Sequence, residues 1–117
     1  MALTWIKSVK DDWLLFETFP NLADIKTNGV YIIWHGGQTP RVVYVGQGII
    51  CDRLTSHRSD QRIIKYKASG TLFVTWAAAL TTEQDGIERY LADRLSPLVG
   101  DRHPDAKPIP VNLPWAA

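Results

Sequence analysis

Two tyrosines, an arginine and a histidine near the middle of the chain have side chains that can bind an anion or transfer a proton. Tyr31 and Tyr44 lie in two runs of strand-forming residues, each close to a glycine. Arg53 and His57 are spaced so that a helix would present both on one face. A guanidinium forms paired hydrogen bonds with phosphate, and an imidazole exchanges protons near neutral pH. These side chains therefore indicate chemistry on an anionic substrate, provided that the fold brings them together.

The tyrosines belong to a predicted β-hairpin over residues 29–46, in which β-branched and aromatic runs flank the turn GGQTP. If His35 faces Pro40 across the loop GGQT, the same antiparallel register places Tyr31 opposite Tyr44. The two phenols would then point to one spot on one face of the sheet. A register shift of one residue would put them on opposite faces, and a cross-strand tyrosine pair can also be a sheet contact without chemistry.

Helices and another strand are predicted after the hairpin. Ile50 and Leu54 recur at helical spacing, which predicts a helix as far as about His57. A second helical piece is expected in SDQRIIKYK, and TLFVTWAAAL is typical of a buried strand. The segment TTEQDGIERYLADRLSP is the clearest helix, and it opens with a capping-box pair, Thr82 and Asp85.

This order of elements predicts an α/β (α+β) fold, with a small three-stranded antiparallel sheet flanked by helices. Residues 1–27 are expected to form an arm that packs its tryptophans as a short strand or irregular segment, with helical turns after Pro20. The proline-rich tail is expected to be extended, with its last apolar side chains packed against the sheet. We interpret the 117 residues as a single domain.

The positive charge is concentrated between residues 41 and 67, which hold six lysines and arginines but only two acidic residues. A basic segment is compatible with a polyanion such as nucleic acid, although a solvated helix face gives the same pattern. The apolar runs are too short to cross a bilayer, and no N-terminal leader is recognised. The single Cys51 cannot form an internal disulfide. We therefore expect a soluble, cytoplasmic protein with no membrane contact.

Other candidate sites have weaker support. His35, His103 and Cys51 share no zinc-ligand spacing. The five tryptophans are interpreted as core and arm packing, with a base-stacking platform as the alternative. Trp34 is predicted to lie on the sheet face opposite Tyr31, because side chains alternate along a strand.

The order of the tyrosine, glycine, arginine and histidine positions resembles the GIY-YIG nuclease superfamily. Its two motifs match the tripeptides GVY, which ends at Tyr31, and YVG, which begins at Tyr44. The segment GQGIICDRLTSH is similar to the family's glycine turn and the helix after it. Here Gly48 lies in the turn, and Arg53 and His57 lie on the helix.

Two later positions extend the resemblance. GIERYLADRLSP is similar to the helix that carries the family's metal-binding glutamate, which assigns that role to Glu88. PVNLP offers Asn112 as the match for a late asparagine of the family. The resemblance covers residues 28–114 and implies that the chain is a stand-alone catalytic domain of GIY-YIG type.

The resemblance implies a metal-dependent endonuclease that hydrolyses DNA phosphodiester bonds with a single Mg²⁺ or Mn²⁺ ion. Tyr31 would be the general base, which requires a depressed pKa because a free phenol has a pKa of about 10. Arg53 would clamp the scissile phosphate, and Glu88 would bind the metal ion. Tyr44 and His57 would bind the phosphate or relay the proton.

Contacts with the nucleic acid are assigned to two glycines, two arginines and an amide: Gly46, Gly48, Arg58, Arg62 and Asn112. The family's basic residues after the second motif are replaced here by QGIICD, and no appended DNA-binding domain is recognised. A homodimer or a targeting partner protein would then supply specificity. The alternative interpretation is a non-catalytic module that binds nucleic acid or protein on the same scaffold.

Overall fold

A computed structural model describes residues 1–8, 10–18, 25–100 and 104–115. The strands in this part of the chain are β1 (Leu14–Leu15), β2 (Asn28–His35), β3 (Arg41–Ile49) and β4 (Leu72–Ala78). The helices are α1 (Ile50–His57), α2 (Gln61–Ile64) and α3 (Thr81–Leu95), with a 3₁₀ turn over Lys65–Ala68. The described residues thus form a small α+β fold, in which helices pack on a four-stranded antiparallel sheet of order β1-β4-β2-β3.

The N-terminal arm supplies a fourth strand, so the prediction of three strands was wrong. β1 pairs with β4, with Leu14 opposite Val74. Earlier in the arm, the amide of Ile6 donates to the carbonyl oxygen of Trp76 at 3.0 Å. Without the arm, β4 would be an edge strand with unpaired backbone groups, and the arm satisfies them. The helical turns expected after Pro20 lie outside the described residues.

The register of the β2–β3 hairpin differs from the predicted one by two separate shifts. His35 faces Arg41 rather than Pro40, because the loop is one residue longer than expected. Trp34 faces Val42 and Ile33 faces Tyr44, so Val43 forms a β-bulge in β3 that shifts the pairing by another residue. A shift of one residue would place each β3 side chain on the sheet face opposite to the predicted one. Because there are two such shifts, the β3 side chains after the bulge return to the predicted face relative to β2.

Tyr31 and Tyr44 consequently share a face of the sheet without facing each other directly. Tyr31 lies opposite Gly46, and Tyr44 lies opposite Ile33, the next residue on the same face of β2. The two rings are stacked, with centroids 6.1 Å apart and planes 10° apart. The predicted direct pairing was therefore wrong, whereas the predicted shared face is confirmed.

The two faces of the sheet carry two apolar clusters. One face packs Tyr31 and Ile33 against side chains of α1 and α2, among them Leu54 and Ile63. The other face packs Trp34 with apolar residues of β3, α3 and the proline-rich tail, as strand alternation predicted. Because β3 is the edge of the sheet, side chains from α1 and α3 can meet beside it.

The capping box predicted for α3 is not formed. Leu80 is the N-cap residue, without a side-chain hydrogen bond, and Thr82 lies inside the helix. Asp85 instead accepts a hydrogen bond from Nε2 of Gln47 at 2.5 Å, which ties α3 to β3. At the other end, Ser96 takes a left-handed conformation that terminates the helix. In the described part of the chain, no helix is both long and apolar enough to cross a bilayer.

Candidate active site

The Tyr31 hydroxyl lies between His57 and Arg53, and Tyr31 has 0% of its surface exposed. Its oxygen is 2.6 Å from Nε2 of His57, and Nε of Arg53 donates to it at 3.3 Å. Because an arginine only donates, we assign the tyrosine proton to the hydrogen bond with His57. The phenol therefore already directs its proton at a ring nitrogen that can accept it.

Two glycines of β3 make room for these side chains. Gly46 faces Tyr31, and a Cβ at Gly46 would overlap the tyrosine hydroxyl. Gly48 has a φ of +123°, which favours glycine, and a Cβ there would lie 3.3 Å from Cγ of Arg53. The two glycines thus leave the space that Tyr31 and Arg53 occupy. Contact of the glycines with nucleic acid stays a prediction.

Tyr44 completes the aromatic wall of the site. Its ring centroid lies 4.4 Å from that of His57, and its ring is stacked on Tyr31. The Arg53 guanidinium interacts with both phenols. Tyr44 is half-buried, whereas Tyr31 is fully buried, so Tyr44 is the phenol of this pair that reaches the surface.

Glu88 joins the site from α3, on the other side of the edge strand β3. Its side chain is 8% exposed, and its charge interacts with Arg53 and Tyr31. The neighbouring Ile87 and Leu91 fix this part of α3 in the core. The structure thus brings a buried carboxylate together with the guanidinium and the buried phenol.

The donors at Glu88 fit a hard divalent ion that keeps most of its water. Among the described residues, no group of three or more His, Cys, Asp or Glu side chains could enclose a metal ion. Mg²⁺ commonly binds through one or two carboxylates together with waters and substrate phosphate oxygens, and Mn²⁺ shares its preference for oxygen ligands. Zn²⁺ usually takes three or four protein ligands, which Glu88 alone does not provide.

The Tyr31–His57 pair is neutral at neutral pH. Burial raises the pKa of the Tyr31 phenol and outweighs the opposing effect of Arg53, so the guanidinium alone does not supply the depressed pKa that a general base requires. Burial, with Arg53 as the second cause, lowers the pKa of His57 to about 4. Tyr31 can therefore act as a base only if its own proton moves to His57 as a water proton arrives.

Glu88 and His57 affect stability in opposite directions as pH changes. Burial, reinforced by Asp85 and opposed by Arg53, raises the pKa of the Glu88 carboxyl from 4.5 to about 7. The folded protein then holds a proton that the unfolded chain releases, so the Glu88 contribution to the free energy of unfolding falls between about pH 4.5 and 7. The lowered pKa of His57 makes stability rise between about pH 4 and 6.5.

We expect a Glu88→Gln variant to separate these two trends when no divalent ion is present. Because the variant lacks the carboxyl, its free energy of unfolding relative to wild type should increase with pH up to about 7 and then level off. Urea titrations of both proteins in chelator, at closely spaced pH values, measure this difference. A difference that stays constant from pH 4 to 8 would contradict the raised pKa of Glu88.

Arg58 and Arg62, which the sequence assigned to nucleic-acid contact, form hydrogen bonds within the protein. Nε of Arg58 donates to the carbonyl oxygen of Phe16 at 3.0 Å and ties the end of α1 to the arm. Arg62 pairs with Asp60, with Nη2 and Oδ2 2.9 Å apart. Contact of either arginine with phosphate stays a prediction, and it would compete with these bonds.

Asn112 lies in the tail and holds the N-terminal arm. Its Oδ1 accepts from the Leu3 amide at 2.6 Å, and its Nδ2 donates to the Leu3 carbonyl oxygen at 3.0 Å. The Asn112 carbonyl oxygen also accepts from Nε1 of Trp5 at 2.9 Å. These bonds give Asn112 a structural role, and its contact with nucleic acid stays a prediction.

We expect Asn112→Ala to lower the free energy of unfolding by about 1 kcal/mol, because the backbone of Leu3 loses both partners at a site that water can reach. Denaturant unfolding measures the change, and Gln38→Ala in the exposed hairpin loop is the control. Wild-type stability combined with a loss of affinity for DNA would instead show that the amide contacts the nucleic acid.

The sequence did not reveal the polar contacts that hold α3 against the sheet. Gln84 is 5% exposed, and its Nε2 donates to Oδ1 of Asn28 at 2.7 Å. Its position one helical turn before Glu88 is a signal that could have identified it. The bond from Gln47 to Asp85 has no such signal, because it depends on how β3 and α3 are packed.

Comparisons of the chain with protein-family models, with curated proteins and with solved structures gave no match. The side chains around Tyr31 and the order of the motifs that supply them are therefore the features that bear on function.

Proposed function

We propose that the chain is a metal-dependent nuclease of GIY-YIG type that hydrolyses phosphodiester bonds of DNA. The proposal depends chiefly on the groups around the Tyr31 hydroxyl, with an imidazole at 2.6 Å, a guanidinium at 3.3 Å and the Glu88 carboxylate within electrostatic range. One hydrogen bond would satisfy a buried hydroxyl, so packing alone does not explain this combination.

Arg53 supplies the positive charge that the phosphoryl group needs. In the substrate-free protein its Nε is bonded to the hydroxyl of the fully buried Tyr31. An incoming phosphate would draw the guanidinium onto its nonbridging oxygens, because a charge-assisted pair is stronger than a bond to a neutral phenol. This movement would give the attacking water access to Tyr31.

Tyr31 and His57 transfer the proton. As the water oxygen attacks phosphorus, a water proton passes to the phenol oxygen and the phenol proton passes to Nε2 of His57. The bond from phosphorus to the leaving oxygen breaks, and that oxygen takes a proton from solvent. Tyr44, stacked on Tyr31 and packed against His57, keeps the two rings in position during the transfer.

Glu88 is the residue that would hold a single Mg²⁺ or Mn²⁺ ion. The bound ion supplies Lewis-acid stabilisation of the charge on the phosphoryl oxygens. Because the Glu88 carboxyl has a pKa of about 7, it must release a proton before it can bind a cation. The affinity for the ion should therefore increase as pH rises towards neutrality.

A non-catalytic module that binds nucleic acid or protein is the second candidate function. The complete burial of Tyr31 favours it, because a base must reach the attacking water. A binding module has no need, however, of a carboxylate at Glu88 whose ionisation is opposed by burial.

Incubation of the full chain with supercoiled plasmid tests the proposal. We expect nicked and then linear DNA with Mg²⁺ or Mn²⁺, and intact plasmid when a chelator is added. Plasmid that is bound but not cleaved under every metal condition would favour the binding module. Equal nicking by wild type, Tyr31→Phe and Glu88→Ala would indicate a contaminating nuclease and would remove the support for the enzyme.

A further inference from the structure

Three tryptophans form an open aromatic pocket on the sheet face that packs against α3. Trp13 comes from the arm, Trp34 from β2 and Trp115 from the tail. The rings of Trp13 and Trp115 lie 5.4 and 5.1 Å from that of Trp34, each nearly perpendicular to it at 87°. The pocket has a volume of about 330 Å³, and its other lining residues are Pro40, Arg41 and Val42.

The exposure of the three rings distinguishes this pocket from ordinary core packing. Trp34 is 6% exposed and forms the floor, whereas Trp13 and Trp115 are half-buried walls. Trp34 is itself stacked on Phe73, so another ring would stack on the exposed parts of the Trp13 and Trp115 indoles. The volume lies at the lower end of the range for ligand pockets, which suits one flat ring system.

Basic side chains determine which charge the pocket prefers. Arg41 is exposed, donates from Nη2 to the Ser96 carbonyl oxygen at 3.5 Å, and forms no ion pair with any described residue. Nζ of Lys7 lies 4.4 Å from the centre of the Trp13 ring and also pairs with Asp11. An aromatic pocket alone would suit a quaternary ammonium, but the charge of Arg41 opposes it, whereas the charge of Lys7 is offset by Asp11. A flat ring that carries a negative group is complementary.

We propose that this pocket binds one unpaired nucleotide of a nucleic-acid strand, with its base on the tryptophans and its phosphate on Arg41. Bases stack on aromatic side chains with little regard to sequence, and a phosphate accepts the paired donors of a guanidinium. Base stacking by the tryptophans was the alternative that the sequence left open.

The position of the pocket on β3 connects it with the nuclease site, and this part of the inference rests on the proposed function. Arg41 begins β3, and Gly46, which faces Tyr31, follows on the same edge strand about 16 Å further along. A nucleotide held on one side of β3 would therefore lie a few nucleotides away from the phosphate bound on the other. The enzyme should favour DNA with an unpaired nucleotide a short distance from the cut over continuous duplex.

Binding measured in EDTA tests the pocket independently of cleavage. Single-stranded DNA, its RNA equivalent and the paired DNA duplex are each titrated with the full chain, with anisotropy and tryptophan fluorescence as readouts. We expect both single strands to quench tryptophan fluorescence. Trp115→Ala and Arg41→Ala should each weaken single-strand binding about tenfold, while duplex affinity changes less than about twofold.

Two further variants control for folding and for general loss of charge. Arg94→Ala removes an exposed arginine of α3 outside the pocket lining and should bind single strands like wild type. Trp115→Phe keeps an aromatic wall and should retain most of the affinity. A folding defect would instead weaken binding of the duplex and the single strands together.

Each outcome bears on the pocket or on the proposed function separately. Wild-type affinity of Trp115→Ala and Arg41→Ala for single strands would overturn the nucleotide pocket. The pocket would also be overturned if these variants lost binding to choline, or to a second copy of the chain, while their affinity for single strands stayed unchanged. Stronger binding of the RNA strand would support the pocket and indicate RNA as the source of the nucleotide. Loss of single-strand affinity in these variants, in a protein that never cleaves plasmid, would support the pocket and overturn the nuclease alone.

Discussion

Glu88→Gln is expected to lower metal-dependent cleavage by about 1000-fold while the protein stays folded. The substitution preserves the shape of the side chain, but a neutral amide oxygen is a weak ligand for a hard divalent ion. Because burial opposes ionisation of Glu88, the variant should be at least as stable as wild type above pH 7. Lost activity with retained stability would separate a chemical defect from misfolding.

Glu83→Gln is the matched control, because Glu83 lies in the first turn of the same helix. The control should cleave like wild type. A second readout is the melting temperature, which Mg²⁺ should raise in wild type and in the control but not in Glu88→Gln. Full metal-dependent cleavage by Glu88→Gln would remove Glu88 from the proposed metal site.

The sequence predicts the elements of this fold better than their pairing. The hairpin, α1, β4 and α3 each carry a local sequence signal, either a periodicity or an apolar run, within one short segment. β1 is only two residues long, and its strand conformation depends on pairing with β4. The bulge at Val43 lies within a uniform run of β-branched and aromatic residues, so no local pattern marks it.

The candidate site was predictable where one element determines the arrangement. The helical spacing of Arg53 and His57 is sufficient to place both on one face of α1. The pKa of Tyr31 depends on how completely α1 and β3 cover it, which spacing does not reveal. Asn112 holds Leu3, which is 109 residues away in sequence, so motif order alone could not show its structural role.

Tyr31→Phe is expected to lower the cleavage rate by about 100- to 10,000-fold, the range for loss of a general base. The phenyl ring keeps the packing, but His57 and Arg53 both lose the hydroxyl that they contact. The free energy of unfolding should fall by about 1–3 kcal/mol, because Nε2 of a buried imidazole is left unpaired. Rates are therefore compared at a temperature at which circular dichroism shows both proteins folded.

Tyr44→Phe is the matched variant that distinguishes the roles of the two phenols. The ring of Tyr44 packs against the ring of His57, whereas the Tyr31 hydroxyl forms a hydrogen bond with the imidazole nitrogen that accepts the proton. Loss of the Tyr44 hydroxyl should therefore slow cleavage only about tenfold, and Tyr31→Phe should lower kcat with little change in KM. If Tyr44→Phe proves the more damaging change, the half-buried phenol is the base, and Tyr31 acts only by positioning His57.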